Sequence, residues 1–221
     1  LWYMGASLIA NLVFSLILAV LLNSALVKCK KLFRTIYFIP IVTSVVAAAI
    51  VFTLFYDRDY GLFNLLFVAM GGKPLDWLGD TSLSKFAVIG LIAWRWVGFN
   101  MVYFLAGLQS IPKSLYEAAL VDGANSLQCF LKITIPLLRP VILFVMVTTL
   151  IGSIQIFDEP YVLTGGGPAD SSMSVVIYLF RTGMEYLNLG YAAAIGFVLF
   201  GMTFVLSWIQ LNLMGAFERK E

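Results

Sequence analysis

Histidine is absent from the 221-residue sequence, and cysteine occurs only twice, as Cys29 and Cys129. Because histidine is the commonest metal ligand and the usual general base near neutral pH, its absence argues against a metal site and against acid–base catalysis. Two cysteines are too few for a disulfide framework, and we expect both to be inert, reduced thiols. The sequence also has no phosphate-binding loop of the form G-x-x-x-x-G-K-[ST], so we expect neither ATP hydrolysis nor a cofactor on this chain.

Charged residues are also scarce, at 12% of the chain, whereas 61% of the residues are hydrophobic and the mean hydropathy is +0.95. A soluble domain carries about 25% charged and about 45–50% apolar residues. A single core in a chain of this length cannot hide such an excess of apolar surface. The composition therefore predicts an integral membrane protein, and the small net charge of +2 argues against a nucleic-acid partner.

Five apolar stretches are each long enough to cross the roughly 30 Å hydrocarbon layer of a lipid bilayer as a helix. We name them spans A to E, and they cover about residues 5–27, 36–56, 86–108, 136–157 and 187–213. They predict an all-α, polytopic bundle of transmembrane helices. The loops between them are too short to form cores of their own, so we expect residues 1–221 to form a single domain.

Lysine and arginine are distributed unevenly between the two sides, and short cytosolic loops are the ones that carry an excess. The A–B loop, the C–D loop with the start of span D, and the C-terminal tail contain nine basic residues, against four on the opposite side. We therefore expect these loops and the C-terminus to face the cytosol. Five spans would then leave the N-terminus outside, and we expect one further span before Leu1 to complete a set of six.

The C–D loop, residues 110–136, is predicted to begin with a short helix. Ser114 and Glu117 have the spacing of a capping box that would start it. Asp122-Gly123 is expected to end it, because glycine readily adopts the left-handed conformation found at helix C-termini. The helix is about two turns long, which is too short to be stable alone in water.

Asn125 or Ser126 is expected to cap a second short helix. This helix is expected to end before Pro136, which lies in the first turn of span D. The first helix carries a small apolar surface with no evident partner in the chain, formed by Leu115, Ala118, Ala119 and Val121. This surface suits either docking against another protein or resting on the bilayer surface. The residues by themselves leave both possibilities open.

The order of residues in this loop resembles a known motif. It reads Glu117-Ala118-Ala119-x-x-Asp122-Gly123-Ala124, followed at fixed spacing by Phe130, Ile133, Pro136 and Pro140. This series is similar to the EAA loop of the inner-membrane subunits of binding-protein-dependent ABC importers. Three further segments resemble the same family: Trp96-x-Gly98-Phe99, Gly107-Leu108-Gln109-Ser110-Ile111-Pro112 and Thr164-Gly165-Gly166-Gly167-Pro168. Together they are similar to the carbohydrate-uptake branch, in particular to maltose, lactose and multiple-sugar permeases, with Ile135 as a small departure where leucine is more usual.

The resemblance implies a type I ABC-importer transmembrane domain with a core of six spans, of which about five are present. It implies that residues 110–136 form a cytosolic coupling loop that inserts into a separate ATPase dimer, so that ATP is bound by that partner. The coupling residues implied are Glu117, Ala118, Ala119, Asp122 and Gly123. The resemblance further implies a second, homologous permease subunit, an extracytoplasmic solute-binding protein, and a place in a bacterial or archaeal plasma membrane.

Span D carries polar residues at helical spacing that are candidates for substrate contact. Thr149, Ser153 and Ile156 share one face with Gly152, and Gln155 lies beside them. Such side chains either line a cavity or allow close helix packing. Related sugar permeases line their translocation path with this span at the matching positions, so the resemblance favours the cavity.

Span C carries a second candidate face, formed by Trp96, Asn100 and Tyr103. The aromatic rings could stack on a sugar ring while the asparagine bonds its hydroxyl groups. The alternative is an aromatic belt at the membrane interface with one packed asparagine.

Three charged residues lie near these faces. Arg95 is about ten residues into span C, where a charge costs about 2.5–3.5 kcal/mol on insertion scales. We therefore expect Arg95 to face water or a partner, unless the span begins later than the hydropathy indicates. Asp158 and Glu159 follow span D, and we expect both to be solvated, with contact to a binding protein as the alternative.

These observations favour a permease subunit of an ATP-driven sugar importer. A same-fold importer of another solute, such as glycerol phosphate, is the first alternative. An anionic ligand would need several basic residues near mid-membrane, whereas only Arg95 is available, so an uncharged sugar is expected. A secondary transporter or a membrane enzyme usually needs buried carboxylates or histidines, and spans A, B, C and E contain no interior aspartate or glutamate.

Overall fold

The computed structural model of the chain describes residues 2–24 and 28–213, and every regular element in them is a helix. In chain order the helices are α1 (Trp2–Asn23), α2 (Lys30–Val42), α3 (Val45–Phe55), α4 (Leu62–Ala69), α5 (Leu83–Ser110), α6 (Lys113–Val121), α7 (Ser126–Cys129), α8 (Ile135–Ile154), α9 (Asp158–Thr164), α10 (Val175–Phe180) and α11 (Leu189–Leu213). A π-helical turn at Phe130–Thr134 joins α7 to α8, and a second one at Arg181–Glu185 follows α10.

Four helical segments are long and apolar enough to cross a membrane, and they confirm predicted spans A, C, D and E. They are Trp2–Asn23, Leu83–Ser110, Ser126–Ile154 and Leu189–Leu213. The all-α, multi-pass fold predicted from composition is therefore confirmed. The last three residues predicted for span A, 25–27, and the basic C-terminal tail lie outside the described residues.

Predicted span B is broken, although we expected one continuous helix. Its two halves, α2 and α3, meet at an angle of 101°. Pro40 lies inside α2 and lacks an N–H to continue the backbone hydrogen bonds, and Thr43 is extended at φ −79° and ψ 151°. The Ser44 hydroxyl then accepts a hydrogen bond from the Ala47 N–H at 3.5 Å and starts the second half. Pro40 and the Thr43-Ser44 pair were the local signal for this break. The hydropathy pattern did not reveal it, because the stretch stays apolar on both sides.

Predicted span D begins ten residues earlier than expected, because the second short helix of the C–D loop does not end before Pro136. It continues through the π-helical turn into α8, and Ser126–Ile154 forms one spanning segment. Pro136 lacks an N–H for the backbone hydrogen bonds of this segment, and it lies directly after the π-helical turn, where the regular α-helical hydrogen bonding is already interrupted. The segment ends at Ile154, so Gln155 and the residues after it lie beyond the helix.

Buried apolar side chains form two clusters that are separated along the long helices. We call the one farther from α6 the distal cluster; it contains Tyr3, Ala48, Ala49, Phe52, Tyr56, Ala87, Val88, Leu91, Ile92, Ile156 and Leu163. The other is the proximal cluster, which contains Ala19, Leu22, Met101, Phe104, Leu105, Leu108, Ile111, Leu138 and Val145. Between them, α1, α5 and α8 contribute polar residues to a layer near the middle of the bundle.

The central helix α5 packs against α1, α2 and α8, and two glycines bring these helices close. A Cβ atom added at Gly98 would overlap the backbone carbonyl oxygen of Tyr37 in α2. A Cβ at Gly107 would lie 2.7 Å from Leu138 Cδ2 in α8. Both contacts are closer than van der Waals contact. At Gly98 the neighbouring backbone would have to shift, whereas at Gly107 the Leu138 and Val141 side chains would have to move.

Candidate functional site

Helix α6 carries the predicted coupling residues, and it starts differently from the prediction. The helix begins at Lys113, directly after Pro112, and no side chain caps it. The capping box of Ser114 and Glu117 is therefore wrong. The reason is that Pro112, with φ −61° and ψ 131°, leads straight into the helix. Ser114 therefore lies in the first turn, and an N-cap residue must precede it.

The end of α6 follows the prediction. Gly123 has a φ of +79°, and its N–H donates to the Leu120 carbonyl oxygen at 3.1 Å. The N–H of Ala124 donates to the carbonyl oxygen of Ala119 at 2.9 Å. This pair of hydrogen bonds is the Schellman arrangement that a left-handed glycine makes possible. Asn125 then caps α7 with a reciprocal capping box to Gln128, as one of the two predicted caps.

None of the residues in α6 is buried. Glu117 and Ala118 are exposed, Ala119 is half-buried, and Asp122 and Gly123 beyond the helix are exposed. The apolar side chains of Leu120 and Val121 are 63% and 89% exposed. The five predicted coupling residues therefore lie together on an accessible projection of the fold.

One contact ties this projection to the spanning helices, and the sequence analysis did not identify it. The hydroxyls of Tyr116 in α6 and Thr134 in the π-helical turn are 2.9 Å apart and share a hydrogen bond. Thr134 is buried, and the Tyr116 ring packs against the proximal cluster. A displacement of α6 would therefore act on the start of α8.

A cavity of about 320 Å³ lies in the polar layer between the two buried clusters. It is lined by α1, α5, α8 and the start of α9. Six of the seven predicted substrate-path residues line it: Trp96, Asn100, Thr149, Ser153, Gln155 and Ile156. Candidate residues from two separate spans thus face one space.

Tyr103, the seventh predicted residue, does not line the cavity. Its ring centroid is 5.2 Å from that of Phe99 and 5.1 Å from that of Phe144. Tyr103 lies about one helical turn beyond Phe99 towards α6. It therefore belongs to a row of aromatic rings, with Phe99 and Phe144, that extends from the cavity towards the α6 end of the bundle.

Helix α1 adds two residues to the cavity wall that the sequence analysis did not single out, Ser7 and Asn11. Their side chains are 2% and 1% exposed, and neither Ser7 Oγ nor Asn11 Oδ1 has a hydrogen-bond partner among the described residues. Leaving such a group buried and unsatisfied costs about 1–3 kcal/mol. The available signal was the polar series Ser7, Asn11 and Ser15, spaced four residues apart in an otherwise apolar helix.

Arg95 lies in the cavity wall and is paired, as one of its predicted alternatives required. Its Nη1 atom is 2.8 Å from Glu159 Oε1, and the side chains are 12% and 7% exposed. The expectation that Glu159 is solvated is therefore wrong, because the chain after α8 turns back and inserts this carboxylate against α5. Asp158 is exposed, as expected.

The sequence profile of the family described as "Binding-protein-dependent transport system inner membrane component" matches residues 9–217. The chain therefore belongs to that family of transport proteins, and it is a multi-pass membrane protein. This confirms the resemblance that was drawn from the EAA loop.

Two relatives are similar over almost the whole chain. The arabinooligosaccharides transport system permease protein AraP of Bacillus subtilis (strain 168) is 41% identical over 214 residues, covering 96% of this chain and 68% of AraP. The lactose transport system permease protein LacF of Rhizobium radiobacter is 42% identical over 211 residues, covering 93% of this chain and 70% of LacF.

Among solved structures, the chain resembles one from a bacterial alginate ABC transporter in complex with alginate pentasaccharide-bound periplasmic protein. The TM-score is 0.85 at 24% sequence identity, over 98% of this chain and 76% of that one. At this identity the similarity concerns the fold alone, which is that of an ABC-transporter membrane subunit.

Proposed function

We propose that this chain forms half of the translocation path of an ATP-driven importer for uncharged saccharides. The observation that carries the proposal is the cavity in the polar layer. Its wall combines an aromatic face at Trp96 with uncharged hydrogen-bonding groups at Asn100, Thr149 and Gln155. A sugar presents apolar ring faces and many hydroxyl groups, and such a wall complements both. The names of the relatives AraP and LacF support the same class of solute.

An importer of an anionic solute such as glycerol phosphate is the second candidate, and the charges in the cavity disfavour it. Among the described residues that line the cavity, Arg95 is the one basic residue, and Glu159 neutralises it. A phosphate group would therefore meet no unpaired cation on this wall. The same pairing disfavours a proton-coupled transporter, because Glu159 is held by Arg95.

We infer that α6 transmits the work of a separate ATPase dimer to the spanning helices. Support comes from the accessible position of Glu117, Ala118 and Ala119, and from the hydrogen bond between Tyr116 and Thr134. ATP is bound by that partner, and this chain contributes the docking helix. In this arrangement α6 and the C-terminus face the cytosol of a bacterial or archaeal cell.

A second, homologous permease subunit completes the path, and an extracytoplasmic binding protein delivers the sugar. The exposed surface of α11 is consistent with such an assembly, since only 11% of its most apolar 18-residue stretch is buried against the described part of this chain. Neighbouring helices or lipid must therefore cover the rest of this apolar surface.

The experiment that tests the proposal uses the complex purified through this chain and reconstituted in proteoliposomes with its binding protein. We expect ATP hydrolysis and uptake to be stimulated by at least one of maltose, lactose and arabinotriose, and not by glycerol 3-phosphate. Co-purification of an ATPase and of a second permease is expected as well. Stimulation by glycerol 3-phosphate alone, or uptake without nucleotide, would contradict the proposal.

A further inference from the structure

Within the part of the chain that the structure describes, three charged side chains line the cavity, and they are Arg95, Asp158 and Glu159. Arg95 and Glu159 form an ion pair with 2.8 Å between Nη1 and Oε1, and both side chains are largely buried. Asp158 is exposed and forms no ion pair within residues 2–24 and 28–213. The Arg95–Glu159 pair therefore supplies the buried charges of the wall, whereas the charge of Asp158 is exposed to solvent.

The Glu159 carboxylate is held from two successive residues of α5. Arg95 Nη1 donates to Oε1 at 2.8 Å, and Trp96 Nε1 donates to the same oxygen at 3.4 Å. Arg95 Nε is buried and has no hydrogen-bond partner within residues 2–24 and 28–213. The guanidinium therefore has donor capacity left over beside the cavity, while its charge is already compensated.

An arginine in a cavity wall recognises carboxylates well, because its planar group can donate two parallel hydrogen bonds to one. In this protein the carboxylate that occupies Arg95 is supplied by the chain itself. A sugar acid that used Nη1 would have to displace Glu159, and the displaced carboxylate would then be buried and unpaired. At the remaining donors of Arg95 the acid would lie beside the Glu159 carboxylate and be repelled by it. An uncharged sugar meets no such penalty.

We propose that Glu159 determines the charge class of the solute: by occupying Arg95, it excludes saccharides that carry a carboxylate and admits uncharged ones. The assignment rests on the proposed function, because it concerns the solute bound in that same cavity. A sugar carboxylate would pair with the Arg95 guanidinium, and Glu159 prevents this because it already forms an ion pair with Arg95.

The test measures equilibrium binding of two sugars to the complex purified through this chain, without the binding protein. The sugars are maltose and the disaccharide in which C6 of the non-reducing glucose is oxidised to a carboxylate. The unsubstituted complex is expected to prefer maltose. Glu159→Gln is expected to shift the ratio of the two Kd values towards the sugar acid by about tenfold or more, because hydrogen bonds to charged partners are the stronger ones.

Asp158→Asn is the matched control, since it removes the same formal charge from the same cavity and leaves the ion pair in place. We expect it to shift the ratio of Kd values much less than Glu159→Gln does, because the Asp158 carboxylate is exposed and screened by water. An equal shift in Asp158→Asn would mean that only the summed charge matters, which would overturn the role of Glu159.

Arg95→Gln provides a reciprocal measurement, which decides the matter if Glu159→Gln does not assemble. It leaves Glu159 unpaired, and we expect a shift of preference towards 6-amino-6-deoxymaltose by a similar factor. Unchanged ratios in every variant that assembles would overturn this inference and leave sugar transport standing. If the unsubstituted complex bound none of maltose, lactose and arabinotriose, the proposed function would fail, and the inference with it.

Discussion

Ser7 and Ser15 lie two turns apart on the same face of α1, yet their hydroxyl groups are used differently. Ser15 Oγ donates to the carbonyl oxygen of Asn11, which is the usual way for a serine in an apolar helix to satisfy its hydroxyl. Ser7 Oγ makes no such bond and lies in the cavity wall. The difference indicates that the Ser7 hydroxyl does not stabilise α1 and is free to bind a solute in the cavity.

Replacing Ser7 by alanine should therefore separate stability from uptake. Ser7 Oγ has no hydrogen-bond partner among the described residues, so we expect the thermal stability of the complex to be unchanged or slightly raised. If a sugar hydroxyl binds Ser7, the KM for uptake should rise by about three- to tenfold, which corresponds to one hydrogen bond. Thermal unfolding and proteoliposome uptake measure the two effects.

Ser15→Ala is the control for this change, because it lies on the same face and outside the cavity. We expect it to lower stability slightly and to leave the KM unchanged. Equal KM values for the Ser7→Ala and unsubstituted complexes would show that the hydroxyl of Ser7 does not contact the sugar.

Among the helices, the crossing of α2 and α5 depends on one glycine. A Cβ atom at Gly98 would overlap the Tyr37 carbonyl oxygen, and backbone cannot move aside as a flexible side chain can. We expect Gly98→Ala to destabilise the protein by about 1–3 kcal/mol, as overpacking of a close contact does. Thermal unfolding in detergent measures the effect.

Gly5→Ala is the comparison for this helix crossing, since nothing lies within 4 Å of a Cβ at Gly5 in α1. Alanine is the better helix former, so this change should leave stability unchanged or raise it. A Gly98→Ala protein as stable as Gly5→Ala would contradict the close approach of α2.

The turn after α6 provides a prediction about coupling. Gly123 has a φ of +79°, whereas proline is fixed near −65° and has no N–H to donate to Leu120. Gly123→Pro should therefore misdirect α6, so that ATP hydrolysis continues while uptake is lost. Phosphate release and sugar uptake, measured together in proteoliposomes, give the number of sugar molecules taken up per ATP hydrolysed.

Asparagine tolerates the left-handed conformation far better than most residues, so Gly123→Asn should keep most of the coupling. Normal uptake by Gly123→Pro would show that the turn has no part in coupling ATP hydrolysis to uptake.

Glu117→Lys tests the exposed side of the same helix, which we expect to dock on the ATPase. Reversal of this exposed charge is expected to uncouple ATP hydrolysis from uptake as well.

For the molecule as a whole, the orientation in the membrane can be tested with its two cysteines. Cys29 is exposed at the start of α2, and Cys129 is buried. If the A–B loop faces the cytosol, a membrane-impermeant maleimide should label Cys29 only after spheroplasts are permeabilised. Cys29→Ser should abolish most of the labelling, and labelling of intact spheroplasts would reverse the proposed orientation.

The sequence predicted the elements that depend on local or bulk properties. Apolar length alone located α1, α5 and α11 to within a few residues, because a helix in lipid must satisfy its own backbone. Glycine chemistry located the end of α6, since a left-handed turn is decided by residue type. The hydropathy pattern failed at span B, where Pro40 and Ser44 break the helix without lowering the apolar content.

The polar layer was predictable only in part. Helical spacing identified Asn100, Thr149 and Ser153 as members of common faces, because spacing within one helix is a property of the sequence. It could not tell that Tyr103, on the same face as Asn100, lies below the cavity. That depends on where the neighbouring helix α8 crosses.

By itself the amino-acid sequence determined that the chain spans a membrane, where its long unbroken helices lie and where α6 ends, because each follows from residues close together in the chain. Only the tertiary structure decided that Ser7 and Asn11 of α1 face the same space as α5 and α8. It likewise decided that Glu159 is withdrawn from solvent to neutralise Arg95, 64 residues away. The physical reason is that the charge state of a cavity is set by groups brought together from distant segments, and no local pattern records such pairings.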